Sequence, residues 1–244
     1  MSNAENKLTT RVLLGAAFPR LATIPPPAIG LGAFADVVPS TDPVPVGNPD
    51  APPYAAIGWV RTATRHLGTG FLVRPDRVMT AAHLFASVTQ EELATIHVVL
   101  NGGTVPIAML DGQVLDSGAH AAGQPGDAAL LRLAHPPAGI APLPLAIAGI
   151  FKSMKVEVSG YPAGGLPQLR HAGPVVALDD NWIDYVLDTM PGHSGAPVLA
   201  AGPSMPRAVV GLHVLPPGFH PQGIAANRGI RITERIVTWI RDAQ

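Results

Sequence analysis

From Tyr54 onward the sequence consists of short apolar runs that alternate with turn residues, and this alternation constrains the fold more than any other feature. Short runs rich in β-branched and aliphatic side chains, bounded by Gly, Pro, Asn and Asp, predict antiparallel strands joined by tight turns. We predict turns at Asn101-Gly102-Gly103, Asp111-Gly112 and Pro136-Pro137. The strand-like runs are 56–61, 70–73, 95–100, 128–133, 155–160, 173–178, 182–187, 196–199 and 208–214.

One helix is predicted near the end of the chain, at about 233–242. Its apolar residues recur at helical spacing, and Thr233 suits the N-cap position. Many short strands followed by one helix predict an all-β architecture, either a barrel or a sandwich. At 244 residues the chain suits one large domain of this class.

Composition excludes several classes of function. The chain has no cysteine, which rules out disulfides, thiolate metal sites and a cysteine nucleophile. The net charge of −1 gives no indication of a nucleic acid or an anionic membrane as partner. No apolar run approaches the roughly 18–20 residues of a membrane span.

Residues 1 to about 52 differ from the rest in being rich in Pro, Ala and Gly without periodic patterning. Their prolines disfavour regular helix and central strands. We expect a pro-segment or an extended arm that wraps the domain, and a disordered leader is the alternative. The apolar stretch 12–18 makes a poor signal peptide, because it is short and Pro19-Arg20 follows at once.

A histidine ends a further predicted strand, Val78-Met79-Thr80-Ala81-Ala82-His83, and an aspartate begins another. Thr80-Ala81-Ala82-His83 has small residues ahead of the histidine, which leave room for a substrate beside the imidazole. Asp127 stands at the head of the apolar run 128–133. Taken singly, such residues more often have a structural role.

The segment Gly192-His193-Ser194-Gly195 carries a clearer chemical signal. A serine hydroxyl is a weak nucleophile unless a base accepts its proton, and the developing oxyanion needs preorganised donors. The flanking glycines let the backbone turn so that the N–H groups of Gly192 and Ser194 point at one spot. Small residues also cluster in ordinary turns, so the segment alone does not decide the function.

The order His83, Asp127, Ser194 is more informative than any one motif. The gaps are long enough to place His83 and Asp127 in one barrel and Ser194 in another. Subtilisin-type and α/β-hydrolase enzymes use other orders. We therefore predict Ser194 as nucleophile, His83 as general base and Asp127 as the residue that orients the histidine.

The three motifs resemble those of the chymotrypsin-fold serine proteases, over roughly residues 52–242. The resemblance implies two packed six-stranded antiparallel β-barrels, at about 54–140 and 150–230, followed by the C-terminal helix. The active site would lie in the cleft between the barrels. It further implies polypeptide substrates, no cofactor, no metal, and a monomer that binds neither nucleic acid nor membrane.

Further segments resemble the bacterial glutamyl endopeptidases within that fold; they are 37–60, 188–195, 210–214 and 227–233. By this resemblance Val37 would be the mature N-terminus, released by cleavage after Asp36. Residues 1–36 would then be a leader or pro-segment and 37–244 the peptidase domain. The resemblance also implies secretion, although no convincing signal peptide is present.

The same resemblance implies a preference for glutamate on the acyl side of the scissile bond. His213 and Val214 would line the specificity site, with the Thr189 hydroxyl as a neutral donor to the substrate carboxylate. The freed α-amino group of Val37 would add positive charge. A buried strand histidine without contact to substrate is the alternative for His213.

Asp188 is a competing signal, because it lies where trypsin-like enzymes carry the acid that selects Arg or Lys. A carboxylate in the specificity site would repel glutamate. If Asp188 turns away into a hydrogen-bond network, the conflict disappears. The sequence leaves this choice open.

Two departures from the resemblance stand out. His193 replaces the aspartate that receives the new N-terminus in trypsins, so activation through that ion pair is not expected. Pro216-Pro217 lacks the N–H groups that pair with an extended substrate, so we expect weaker or shifted binding there. The remaining histidines show no metal-ligand spacing; they are His66, His97, His120, His135, His171 and His220.

Three alternatives to a glutamate-specific protease stay open at this stage. The first is trypsin-like specificity through Asp188. The second is a catalytically silent binding module of the protease fold, which retention of all three triad residues argues against. The third is a latent zymogen in which residues 1–36 remain attached.

Overall fold

The first of two closed antiparallel barrels contains six strands in the order β2-β3-β4-β7-β6-β5. The computed structural model describes residues 42–116, 122–201, 207–215 and 226–243. The barrel closes where β2 pairs with β5 through Trp59 and Val99. Its strands are β2 (Ile57–Arg61), β3 (His66–Arg74), β4 (Arg77–Thr80), β5 (His97–Leu100), β6 (Val105–Val114) and β7 (Ala129–Leu133).

The second barrel has the strand order β9-β10-β13-β12-β11-β8 and closes through the pairing of β8 with β9. A two-residue strand, β1 (Val44–Pro45), adds to β9 from outside. The strands of this barrel are β8 (Lys155–Gly160), β9 (Leu169–Leu178), β10 (Trp182–Tyr185), β11 (Pro197–Ala200), β12 (Val209–Leu215) and β13 (Asn227–Arg231). The prediction of two six-stranded antiparallel barrels is confirmed.

Each barrel encloses its own apolar interior, because alternate residues along a strand face the same side. Fully buried side chains of the first include Phe71, Leu72, Val78, Met79, Leu130 and Leu131. Those of the second include Val156, Ile183, Tyr185, Val198 and Val210. Burial of one such aliphatic or aromatic side chain stabilises the fold by about 1.5–3 kcal/mol.

The described residues also include two α-helices. The short α1 (Gln90–Leu93) begins at Thr89, whose hydroxyl and the Glu92 carboxylate form a capping box. The predicted C-terminal helix is present as α2 (Glu234–Asp242), and the Thr233 hydroxyl accepts the Ile236 N–H at 3.4 Å. Among the described residues no helix is long and apolar enough to cross a membrane.

The side chain of Arg74, the last residue of β3, fastens α2 to the first barrel. Its guanidinium donates to the carbonyl oxygens of Ile240 at 3.0 Å, Arg241 at 3.1 Å and Ala243 at 2.9 Å. These are carbonyls that the end of a helix leaves without backbone partners. The positive charge of Arg74 also interacts favourably with the negative end of the helix dipole.

The predicted turn at Asp111-Gly112 is wrong. Both residues lie inside β6, where they pair with Arg132 and Leu131 of β7. The pairing shifts register between Met109 and Asp111, which marks a β-bulge. Gly112 itself pairs regularly with Leu131, so the strand continues through a dipeptide that resembles a turn signal in the sequence.

Candidate active site

His83 is held by two hydrogen bonds to one carboxylate, one from its ring and one from its backbone N–H. β4 ends at Thr80, and a 3₁₀ turn (Ala82–Phe85) follows and carries His83. The Asp127 carboxylate lies 2.7 Å from His83 Nδ1 through Oδ2 and accepts the His83 N–H at 2.8 Å through Oδ1. Because Nδ1 donates to the carboxylate, Nε2 of the neutral ring is the basic nitrogen.

The Asp127 carboxylate has no exposed surface, whereas the His83 side chain is 19% exposed. Burial raises the pKa of Asp127, while the hydrogen bonds from His83 and from the Ala82 N–H act in the opposite direction. The carboxylate therefore needs these donors to remain ionised. An ionised Asp127 would in turn stabilise a protonated imidazole.

Ser194 lies in a turn that packs against the strand ends of the first barrel. Gly195 has a φ of +86°. A Cβ at this position would collide with the carbonyl oxygen of Thr69 and the hydroxyl of Thr80. Only glycine therefore allows the turn to approach β3 and β4 this closely.

Gly68 provides a second close approach at the same place. A Cβ there would lie 2.7 Å from the Ser194 carbonyl oxygen and 2.6 Å from Cδ1 of Leu84. Leu84 follows His83 directly in the chain. The serine turn of the second barrel thus lies against the turn that carries the histidine.

Thr69 joins the two barrels at this contact. Its N–H donates to the Ser194 carbonyl at 2.9 Å, and its hydroxyl donates to the Gly192 carbonyl at 2.8 Å. The same hydroxyl accepts the Tyr161 N–H at 2.9 Å. The buried Thr69 therefore sets the position of the serine turn relative to His83.

Neither the Ser194 hydroxyl nor His83 Nε2 forms a hydrogen bond to another residue within the part of the chain that the structure describes. Both groups are therefore free to meet a substrate. Catalytic hydrogen bonds are often long or poorly aligned in ligand-free proteins and tighten in the substrate complex.

The backbone ahead of Ser194 forms a tight turn over Met190–His193. Proline at its second position and Gly192 with a φ of +102° at its third are typical of a type II turn. The Pro191 carbonyl accepts the Ala163 N–H at 2.7 Å. Because a trans peptide is planar, the Gly192 N–H points the opposite way.

The N–H groups of Gly192 and Ser194 make no hydrogen bond to any described residue. A Cβ at Gly192 would lie 2.6 Å from both the Ala163 nitrogen and the Tyr161 carbonyl oxygen, so the position requires glycine. Two free amides beside a serine hydroxyl suit an oxyanion-binding site.

His213 on β12 is 3% exposed, and its Nδ1 lies 2.7 Å from the hydroxyl of Tyr185. Burial lowers the pKa of His213 to about 3, and the neighbouring His193 and His83 add to this effect. His213 is therefore neutral near pH 7. Its Nε2 has no hydrogen-bond partner among the described residues.

The Thr189 hydroxyl is directed toward a different partner from the one predicted. It donates to Oδ1 of Asn227 at 2.7 Å, and the Asn227 amide donates to the Leu187 carbonyl. The proton of this hydroxyl is therefore not available to a substrate carboxylate in this arrangement. Val214 is 1% exposed and packs in the core, so that only its backbone is available to a substrate.

Asp188 is directed toward β9. Its N–H donates to His171 Nδ1 at 2.7 Å, and its carboxylate lies 3.7 Å from the same nitrogen. Of the two arrangements left open by the sequence, these contacts favour the one in which Asp188 turns away.

Several predicted residues lie outside the described part of the chain; they are Val37, His120, Pro216, Pro217 and His220. Within the described ranges no group of three His, Asp or Glu residues is arranged to hold a metal ion. Tyr185 and Ala163 were not singled out from the sequence, and Asn227 was named there only as the start of the segment 227–233. The sequence around them contains no motif that indicates these roles.

Three comparisons place the chain among known proteins. The sequence model of the trypsin-like peptidase domain matches residues 68–211, which include His83, Asp127 and Ser194. A glutamyl endopeptidase of Bacillus licheniformis is 26% identical over 237 residues, which cover 89% of this chain and 73% of the relative. A solved structure described as a Glu endopeptidase in complex with MPD is similar in fold, with a TM-score of 0.67 and 22% identity, covering 84% of this chain and 97% of that one. The chain is a serine endopeptidase that belongs to the trypsin-like peptidase family.

Proposed function

We propose that this chain hydrolyses peptide bonds through an acyl-enzyme on Ser194 and prefers glutamate on the acyl side of the cleaved bond. The observation that carries the proposal is the His83–Asp127 pair, with the Ser194 turn seated against the turn that bears His83. This arrangement supports the assignment of Ser194 as nucleophile, His83 as base and Asp127 as orienting acid.

In the proposed reaction His83 Nε2 takes the proton of Ser194 as the serine oxygen attacks the carbonyl carbon. Asp127 keeps the proton on Nδ1 and stabilises the imidazolium that forms. His83 then protonates the leaving amine, and the peptide C–N bond breaks. Water, with His83 again as base, hydrolyses the ester on Ser194.

The amides of Gly192 and Ser194 would bind the oxyanion of the tetrahedral intermediate. Support comes from the hydrogen bond that the Ala163 N–H donates to the Pro191 carbonyl. Because this carbonyl and the Gly192 N–H belong to one planar peptide, the N–H points away from Ala163. Preorganised donors need no rearrangement when charge develops, and one such donor contributes about 10²–10³-fold to the rate of comparable enzymes.

The glutamate preference rests on His213, in the role that the family resemblance implies. The Tyr185 hydroxyl is placed to donate to Nδ1, which leaves the proton on Nε2 as a donor to a substrate carboxylate. A neutral N–H donor binds a carboxylate without introducing a second buried charge. The contacts of Asp188 with His171 support this assignment, because they direct the carboxylate toward β9.

Removal of residues 1–36 to expose Val37 is part of the proposal. It is tested by comparing the full chain with a form that begins at Val37. The zymogen idea predicts that only the shorter form is active. Equal activity of the two forms would contradict it without affecting the triad.

The function is tested with matched peptides that differ only in Glu, Gln, Asp, Arg or Phe before the scissile bond, with Ser194→Ala as control. Cleavage after Glu but not Gln, abolished by Ser194→Ala, is the expected result. Cleavage after Arg would retain the triad and assign specificity to Asp188. No cleavage of any peptide by either form would instead favour a silent binding module.

A further inference from the structure

His193 and Met190 are joined by two reciprocal hydrogen bonds. The His193 N–H donates to the Met190 carbonyl at 3.0 Å, and the Met190 N–H donates to His193 Nδ1 at 2.8 Å. One residue thus holds both backbone groups of the other. Pro191 and Gly192 lie between them, so the imidazole closes the turn that presents the Gly192 amide.

The central peptide of this turn determines whether that amide is usable. Type I and type II turns differ mainly in the orientation of the peptide between the second and third residues, here Pro191–Gly192. In the type II form the Gly192 N–H is free at the serine, as proposed for oxyanion binding. In the type I form the peptide is turned over, and its carbonyl would face the oxyanion.

The environment of His193 favours the neutral form of the ring. The residue is 2% exposed, and burial lowers its pKa to about 4, to which His66 on β3 adds. The backbone of Gly160 on β8 lies close enough to the ring to raise the pKa slightly, but Nε2 is buried without a full hydrogen bond to a described residue. A positive charge on His193 would in turn lower the pKa of His213 on β12.

Since Nδ1 accepts the Met190 N–H, the ring proton lies on Nε2, and the ring must be neutral. Leaving a buried Nε2–H without a partner is unfavourable. The fold tolerates this unfavourable burial of Nε2–H, and in return Nδ1, which is bonded to Cγ, accepts the Met190 N–H. Asparagine would place its Oδ1 acceptor similarly and lacks the ring Nε2, although its amide group brings two N–H donors of its own.

We propose that His193 is a positioning residue for peptide hydrolysis, which holds the Met190–His193 turn so that the Gly192 amide faces the oxyanion. The inference rests on the proposed function. In this chain a neutral side chain within the serine turn would perform the positioning, without a contact from a newly formed N-terminus. His193 itself touches neither the substrate nor the reacting atoms.

The test compares two variants of nearly equal shape. His193→Asn keeps an acceptor at the position of Nδ1, whereas His193→Leu has the same branching and no acceptor. We expect kcat of the Leu variant to fall about 10²-fold or more with little change in KM, as for loss of an oxyanion donor. We expect the Asn variant to stay within about fivefold of the parent, by the same reasoning about the donor.

Inhibitor binding separates positioning from general damage. A peptide aldehyde whose hemiacetal oxygen occupies the oxyanion site should lose affinity in the Leu variant by the same factor as kcat. The matching product peptide, which makes no such contact, should bind unchanged. Equal loss of both ligands, or equal kcat of the Asn and Leu variants, would overturn the proposal.

Nitrogen NMR of the parent protein provides a measurement that needs no variant. The His193 ring should show an unprotonated Nδ1 and a protonated Nε2 from pH 5 to 8. The opposite tautomer would overturn the proposal. Retained activity in Ser194→Ala would refute the proposed function instead, and the NMR result would still decide the state of His193.

Discussion

The Tyr185 hydroxyl and His213 Nδ1 lie 2.7 Å apart in a part of the second barrel where both side chains are almost completely buried. Burial raises the pKa of Tyr185 well above its ordinary range, so the phenol keeps its proton. A phenol that keeps its proton can donate to His213 Nδ1, and in that arrangement the histidine carries its own proton on Nε2.

Removal of this donor should weaken glutamate recognition selectively. Tyr185→Phe keeps the ring and deletes the hydroxyl, and one buried hydrogen bond contributes about 1–1.5 kcal/mol. We expect kcat/KM for a Glu peptide to fall about tenfold relative to a Gln peptide. An equal fall for both peptides would show that the bond stabilises the barrel and not the site.

Asp127→Asn should reduce kcat about 10⁴-fold, because an amide can no longer enforce the tautomer with the proton on Nδ1. The Nδ1···Oδ2 contact would persist with the donor reversed. The measurement is steady-state hydrolysis of the best peptide substrate. A loss below tenfold, with an unchanged unfolding midpoint, would contradict the role of Asp127.

Asp188→Asn should change the ratio of Glu to Arg cleavage by less than about threefold, since a half-exposed carboxylate beside His171 is screened by water. The ratio is measured on peptides that differ in that one residue. A tenfold rise in Glu cleavage would show that Asp188 lies in the specificity site after all.

Stability should fall as the pH drops from about 6.5 toward 4. Folded His193 and His213 have pKa values lowered to about 4 and about 3, against 6.5 for an exposed histidine. In that range the unfolded chain binds protons that the folded chain does not, so lowering the pH favours unfolding. For His193 the effect is at most about 3 kcal/mol.

Thermal unfolding at pH 7 and pH 4.5 measures this effect. His193→Asn should reduce the difference in unfolding free energy between the two pH values. An unchanged difference would show that the ring is already protonated, or accessible to water, in the folded protein.

Thr69→Val should lower both stability and kcat. The substitution keeps the shape and deletes the hydroxyl that links Gly192 to Tyr161, and each buried group left unpaired costs about 1–3 kcal/mol. Thr69→Ser retains the hydroxyl and is the matched control. Equal unfolding midpoints for the Val and Ser variants would contradict the role of this bridge.

The sequence was sufficient where short local patterns determine structure. Strand-like runs and turns predicted an all-β architecture, and the family resemblance added that it would be two barrels. The C-terminal helix was visible from its spacing and its N-cap threonine. The three motifs brought His83, Asp127 and Ser194 to attention because each is flanked by small residues that a reacting site needs. That Asp127 and His83 form a bonded pair is consistent with this prediction.

Side-chain partners across the barrel could not be predicted in this way. The Thr189 hydroxyl is directed to Asn227, 38 residues later, and His213 pairs with Tyr185 across 28 residues. Such partners depend on strand register, which a one-residue shift would change entirely. The Asp111-Gly112 pair in β6 is another case, because the same dipeptide occurs in turns and, here, within a paired strand.

The attachment of α2 by Arg74 has a consequence for how the chain is made. The helix follows the second barrel in the chain but docks on a residue of the first, and its Ile236, Trp239 and Ile240 join the same apolar cluster as Phe71. During synthesis the first barrel emerges early and must wait, with that apolar surface uncovered, until the helix leaves the ribosome. The first barrel is therefore completed only when α2 has been synthesised. Until then the nascent chain is most exposed to proteolysis and aggregation.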